Sequence, residues 1–323
     1  GGLAALVGDL FLPAGRKRFI PALGLASLAL SILVSIGLWG TVRFSVNDAV
    51  VLDRLALFSY LVFALVSILS ILLSMDYLDA SAPDQGEYYS LVLFSTLGMM
   101  LMAAGGDLIV IFLGLEMLSL ALYTLCGFRK AELRSNEAAL KYLLLGAFAS
   151  SFFLYGIALI YGATGTTVLR RIVAFLADGR PPSALLLVGA GLLLVGFGFK
   201  VASVPFHMWT PDVYEGAPTS VTAFMIAGTK AAAFAALVRV FLMALPTLQV
   251  QWSAPIWVLA VLTMTLGNLV ALVQNNIKRM LAYSSIAHAG YLLVALVAGG
   301  SPGATSILFY LVAYALMNLG AFA

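Results

Sequence analysis

Four side chains able to take up and release a proton stand inside apolar runs. They are Glu116 in "DLIVIFLGLEMLSLALYTLCGF", Lys230 in "PTSVTAFMIAGTKAAAFAALVRV", His288 in "MLAYSSIAHAGYLLVALVA", and Lys200, a few residues off centre, in "LLLVGFGFKVASVPFHMW". An ionisable group at the middle of a membrane span costs roughly 2.5 to 3.5 kcal/mol on insertion scales, so its presence marks a functional candidate. A carboxylate, two amines and an imidazole suit proton transfer. The competing role is static: Glu116 pinned to a lysine, or His288 hydrogen-bonded across a helix interface. His207, where its run ends, is an accessory position with an interfacial structural role as its other reading, and Ser284 and Ser285 add small polar groups beside His288.

Lys200 has the most informative neighbourhood. Gly196 and Gly198 are expected to loosen the helix before it, and Pro205 has no N–H for the carbonyl of Val201, so the ladder should break one turn past the lysine. Freed backbone at membrane depth is tolerated where it is buried in protein or lines a watery cavity, and broken helices form ion sites in transporters. Such a break would bring water and free carbonyls to the lysine. Thr210 reads as an N-cap, with Pro211 in the first helical position and Asp212 in the first turn. Pro218 opens the next run. A carboxylate about 7 Å from the lysine, at an effective dielectric of about 20, would contribute about 2.4 kcal/mol, enough for Glu116 to modulate a proton held on Lys200.

The elements that must position these groups are membrane helices. Of 323 residues, 63% are hydrophobic and 10% charged, against about half and a quarter in soluble domains. The expected fold is an all-α integral membrane protein, one polytopic domain over 1–323 with about eleven spans: the opening run Leu3 to Leu12, then 19–39, 55–75, 88–104, 108–126, 140–161, 184–209, 219–243, 255–274, 280–298 and 304–323. Turn-forming stretches at 12–18, 81–87, 163–167, 178–183 and 299–303 separate them, so neighbours run antiparallel. Both ends read as incomplete. Lys141 and Arg239 fall near span ends, where long side chains can snorkel to headgroups.

Composition also excludes. Net charge is +3, but the basic residues lie in connections, as the positive-inside rule predicts, which argues against nucleic acid. Connections after odd spans hold eight Lys and Arg (Arg16, Lys17, Arg18, Arg129, Lys130, Arg134, Lys278, Arg279) and those after even spans hold six (Arg43, Arg54, Arg170, Arg171, Arg180, Arg239), which favours the odd side as cytoplasmic. The acidic stretch Asp76, Asp79, Asp84, Glu87 then faces the cytoplasm too. Cys126 is the single cysteine, so disulfides, thiolate zinc sites and iron–sulfur clusters held by this chain alone are excluded. No phosphate-cradling glycine loop is present.

The blocks "FLGLEMLSLALYTLCGFRK", "EAALKYLLLGAFASSFFLYGIALIYGATGT", "GFGFKVASVPFHMWTPDVYEGAPTSV" and "NIKRMLAYSSIAHAGY" resemble the antiporter-like subunits of complex I, the proton-pumping NADH-quinone oxidoreductase. The third and fourth blocks are shared with subunits L and M and with multisubunit cation/proton antiporters. The "KYLLLGA" to "YGATG" block favours the subunit N group, which includes subunit 2 of mitochondria and the corresponding plastid subunit. The resemblance, from about Asp9 onward, implies two inverted five-helix repeats, each with a broken helix: the first over 88–243, and an incomplete second over 255–323 that does not reach its own broken helix. It places the helix-5 glutamate on Glu116, the broken-helix lysine on Lys200, the helix-8 lysine on Lys230 and an early helix-6 lysine on Lys141, with His288 continuing the polar axis.

It further implies a subunit that catalyses no redox step itself and holds no cofactor or metal, with flavin, iron–sulfur clusters and quinone in other subunits. Its partners would be subunit M, small membrane subunits and the lipid bilayer. The membrane would be a bacterial plasma membrane, with mitochondrial or plastid membranes as the homologous settings. Two other readings stay open: a subunit of a multisubunit cation/proton antiporter, and a membrane-arm scaffold whose charges are helix staples.

Overall fold

In a computed structural model the described residues are 1–12, 19–81, 86–179 and 181–323, with the side chains of 76–81 left aside. The turn expected at 12–18 and most of that at 81–87, with Arg16, Lys17, Arg18 and Asp84, lie outside them, as do Arg180 and the side chains of Asp76 and Asp79. Because hydrocarbon offers the backbone no partners, each apolar run satisfies its own N–H and C=O groups as a helix. The helices are α1 (Gly2–Phe11), α2 (Phe19–Gly37), α3 (Arg54–Ser81), α4 (Gly86–Ala104), α5 (Leu108–Cys126), α6 (Leu133–Thr164), α7 (Leu169–Ala177), α8 (Ala184–Val201), α9 (Thr210–Gly216), α10 (Thr219–Phe224), α11 (Lys230–Leu237), α12 (Gln249–Leu272), α13 (Ile277–Ala298) and α14 (Gly300–Phe322).

Among the described residues ten segments, Thr219–Ala244 counted as one, are long and apolar enough to cross a membrane, against the eleven expected. The difference is α1, whose ten residues span about 15 Å at 1.5 Å per residue, half a bilayer core. Two elements arise inside expected connections. A short antiparallel hairpin, β1 (Arg43–Ser45) with β2 (Val50–Leu52), pairs Phe44 with Val51. Helix α7 buries Leu169, Ile172 and Leu176 and turns Arg170 and Arg171 outward.

The innermost crossing is Thr219–Ala244, whose apolar window is wholly buried, against 22% for α12 and 33% for α6. It is built from α10, a π turn (Met225–Thr229), α11 and a second π turn (Val238–Ala244). Small residues in "AGTKAAAFAAL" let α3, α4, α8 and α14 close around it.

Two helix pairs pack alike. A Cβ on Gly98 would lie 2.5 Å from the Leu118 nitrogen and one on Gly114 2.7 Å from that of Met102, so α4 and α5 touch backbone to backbone. In α12 and α13, Gly267 stands 2.6 Å from Ala287 N and Gly290 2.8 Å from Met264 N by the same construction. The tripeptide Thr-Leu-Gly recurs at 96–98 and 265–267. Since α12 is the fifth crossing after α4, the second pair runs in the opposite sense, the relation an inverted repeat requires.

Candidate functional site

Lys200 is the penultimate residue of α8 and is buried, 3% exposed. Its ammonium donates to Ser119 Oγ on α5 at 2.8 Å and to Tyr142 OH on α6 at 2.9 Å, and it lies 5.2 Å from the Tyr142 ring centre. Ser119 in turn donates to the Leu115 carbonyl at 2.5 Å. Glu116, half-buried on α5, makes no ion pair with Lys200 within 4.0 Å; its Oε1 accepts from Ser150 on α6. Ser119, Ser150, Gly146 and Lys200 line one small cavity. Glu116 and Ser119, three residues apart, share one helix face. Glu116 and Lys200 thus each hold a hydroxyl, Ser150 and Ser119 respectively, beside one cavity, with no direct pairing between them.

The break follows Lys200, not the glycines before it. Helix α8 is regular to Val201, and Ala202 takes the left-handed conformation, φ 62° and ψ 42°. Its N–H donates to the Phe199 carbonyl at 3.1 Å and that of Ser203 to Gly198 at 2.8 Å, the paired bonds of a Schellman cap with alanine where glycine is usual. Gly196 and Gly198 serve contact instead of looseness: a Cβ there would come within 2.7 Å of Phe153 and of Phe206. Pro205 lies in the break after a cis peptide. The Val204 N–H donates to Thr263 Oγ1 at 2.9 Å and Trp209 Nε1 to the Phe199 carbonyl at 3.0 Å. The protein itself satisfies these freed groups, so the expectation that free carbonyls would serve the lysine is corrected: the hydroxyls of α5 and α6 do so.

Past the break, α9 starts at Thr210 with Pro211 and Asp212 in its first turn. Thr210 is not an N-cap; its Oγ1 has no hydrogen-bond partner, nor has His207 Nδ1. Pro218 does precede the next helix, as expected.

Lys230, 1% exposed, opens α11 directly after a π turn. Its ammonium donates to the Ser285 carbonyl on α13 and lies 5.8 Å from the Tyr314 ring centre on α14. His288, also on α13, shares a 2.5 Å hydrogen bond between Nδ1 and Tyr310 OH and packs 5.1 Å from the Tyr314 ring. Beside Lys230 the hydroxyls of Tyr214, Ser285 and Tyr314 come together, and neither Ser285 Oγ nor Tyr314 OH has a well-formed hydrogen bond. Aromatic rings join this cluster to the first: Tyr142 stacks on Trp209 at 4.6 Å, and Trp209 meets Tyr214 edge to face at 5.8 Å.

Sequence reasoning thus finds the four ionisable groups but not Ser119, Tyr142, Ser150, Tyr214, Tyr310 and Tyr314. Only the position of Ser119, one turn from Glu116, gives a signal.

Lys141 and Arg239 do not snorkel. Lys141 bonds Asp212 at 2.7 Å and Glu137 at 2.6 Å; Arg279 on α13 bonds the other Asp212 oxygen at 2.7 Å and Glu215 at 2.9 Å. Burial pushes the Asp212 carboxyl up, but the hydrogen bonds from Lys141 and Arg279 outweigh it and hold the group below its usual range. Helix α9 is therefore clamped by charge between α6 and α13. Arg239 turns inward, grips both Asp53 oxygens at 2.9 and 3.0 Å and donates to the Ala103 carbonyl at 2.7 Å.

Known proteins resemble this chain in sequence and fold. The family model described as NADH:quinone oxidoreductase/Mrp antiporter, TM, matches residues 105–323. Curated relatives named NADH-quinone oxidoreductase subunit N include one from Trichlorobacter lovleyi, 51% identical over the whole chain, and one from Chloroflexus aggregans, 52% identical over 98% of it. The chain spans 66% of the length of each. Among solved structures, respiratory complex I from Thermus thermophilus with bound aureothin matches over 99% of this chain and 67% of its own, with TM-score 0.84 and 40% identity. The Mrp complex of Dietzia sp., at TM-score 0.86 and 24% identity, covers 99% of this chain and 61% of its own and shares the fold. By family match, relatives and fold together, this chain belongs to the NADH:quinone oxidoreductase/Mrp antiporter transmembrane family, the antiporter-like membrane subunits.

Proposed function

We propose that the chain is a proton-translocating membrane subunit of a respiratory NADH-quinone oxidoreductase. Lys200 holds the transferred proton, Glu116 modulates it, and Lys230 and His288 relay it, with His207 accessory and Lys141, the other accessory candidate, engaged in the clamp on α9. The first repeat, 88–243, supplies the broken-helix site, and 255–323 supplies the start of the second repeat. Flavin, iron–sulfur clusters and quinone belong to other subunits, and an antiporter-like subunit M with small membrane subunits are the partners in a bacterial plasma membrane.

One observation carries the reading. Lys200 is buried with hydroxyls for hydrogen-bond partners and, among the described residues, no carboxylate within 4.0 Å. A helix staple would hold a direct ion pair, since a buried charge left without one is costly. Hydroxyls both accept and donate, so they serve the amine before and after it gives up its proton. The scaffold reading, which rests on a Glu116–Lys200 pair, loses its basis.

The test is proton pumping by the assembled complex in membrane vesicles. Lys230→Met and Glu116→Ala are each expected to lower quinone-coupled pumping on the order of 100-fold, the low end for a positioned proton-transfer group. Wild-type pumping in both would end the proposal. Sodium-dependent growth rescue with no effect on NADH oxidation would instead select the cation/proton antiporter reading.

A further inference from the structure

Helices α12 and α13 can be laid over α4 and α5 residue by residue. A Cβ on Gly98 would meet the Leu118 nitrogen, and one on Gly267 would meet that of Ala287. Asp107 caps α5 by accepting from the Ile109 N–H at 2.7 Å, and Asn276 caps α13 by accepting from the Lys278 N–H at 2.9 Å. The pairs Gly98 and Gly267, Asp107 and Asn276, Ile109 and Lys278, and Leu118 and Ala287 share one sequence offset. The same offset carries Glu116 to Ser285 and Ser119 to His288. Caps and backbone contacts thus set the register without reference to either polar position.

Both positions are polar in each repeat, with different chemistry. In the first repeat Ser119 holds Lys200, and Glu116 accepts from Ser150. In the second, His288 meets Tyr310, and Ser285 holds Lys230 through its main-chain carbonyl. The Ser285 hydroxyl has no hydrogen-bond partner, and an unmet buried hydroxyl is costly. Ser285, Tyr214, Lys230 and Tyr314 are all buried, so α9, α11, α13 and α14 seal the cluster themselves.

A lysine that carries a proton needs partners in both of its states. The ammonium only donates, whereas the neutral amine has a lone pair to be met. Ser285 offers both partners: a carbonyl that accepts from the ammonium and a hydroxyl that can turn to donate to the amine left behind. An ionised carboxylate in its place, as in the first repeat, could only accept.

We propose that Ser285 is the second repeat's counterpart of Glu116, a positioning residue whose carbonyl holds Lys230 when it is charged and whose hydroxyl holds it when it is neutral. The inference rests on the proton-carrying role of Lys230.

The test measures protons pumped per NADH oxidised by the reconstituted complex, with assembly followed on a native gel. Ser285→Thr and Ser285→Val add nearly the same volume and differ in the hydroxyl. Ser285→Thr is expected to pump within about two-fold of the wild type and Ser285→Val about ten-fold below it, the scale of one buried hydrogen bond. Ser285→Ala, which removes the hydroxyl without adding volume, should fall with Ser285→Val. Equal pumping by the Thr and Val variants, at the wild-type level or below it, would overturn the proposal, as would wild-type pumping by Ser285→Ala. Lys230→Met is measured beside them. Reduced pumping there, with the Thr and Val variants alike, removes only the role of Ser285; wild-type pumping there removes the function on which that role rests.

Discussion

Lys200 and Arg239 are equally buried, each 3% exposed, and are held in opposite ways. Arg239 grips a carboxylate with two parallel bonds and a backbone carbonyl with a third. Lys200 has two hydroxyls. Arginine keeps its proton under all ordinary conditions, whereas lysine can lose one. On the proposed function, the contrast separates a charge that fastens helices from a charge that is exchanged. Lys230 belongs with Lys200, having a carbonyl and a ring for company. The α9 clamp of Lys141, Asp212 and Arg279 belongs with Arg239.

The largest expected effect lies on the fastening side. Arg239→Met leaves the half-buried Asp53 without its cation, which should cost about 3 kcal/mol, the low end for breaking a buried pair, read as a fall in thermal stability of the complex with proton transfer per assembled complex unchanged. Adding Asp53→Asn should recover most of the loss. If Arg239→Met instead abolished transfer in stably assembled complex, the two regions would not differ in role.

Next come the partners of Lys200. Ser119→Ala and Tyr142→Phe each remove one acceptor from a buried ammonium, worth about 1 to 3 kcal/mol. Tyr142→Phe keeps the ring stacked on Trp209, so its expected signature is slowed proton transfer in an assembled complex. Unaltered rates in both variants would show that the hydroxyls are bystanders.

A smaller effect tests the break itself. Ala202 in the left-handed region carries about 1 to 2 kcal/mol of backbone cost, which Ala202→Gly should release in part as a higher unfolding midpoint. Lower stability would contradict the cap as described.

The smallest effect is at α9. The Asp212 carboxyl titrates below its unfolded value near 3.9, so its contribution is fully present above that value and is lost as pH falls through the lower folded value. Between pH 6 and 3 the wild type should lose more stability than Asp212→Asn. Parallel pH profiles would mean that the clamp contributes nothing.

The crossings are legible in sequence because apolar runs of bilayer length have one solution, the helix. The break is legible from Pro205, yet its start is not, since a glycine needed for contact with Phe153 or Phe206 looks the same in sequence as one needed for looseness. Arg239 reads as snorkelling because its carboxylate lies 186 positions earlier. Ser119 and Tyr142 reach Lys200 from 81 and 58 positions away, and nothing local to any of the three announces the meeting. Ionisable groups in apolar runs stand out by their cost; the neutral hydroxyls that serve them carry no such mark.

The most direct test is Lys200→Arg in reconstituted complex, with proton uptake per NADH oxidised measured beside assembly on a native gel. The arginine keeps the charge but cannot release its proton. The expected result is an assembled complex whose pumping falls on the order of 100-fold; pumping at the wild-type ratio would show that Lys200 fastens helices as Arg239 does, and would contradict its assignment as a proton carrier.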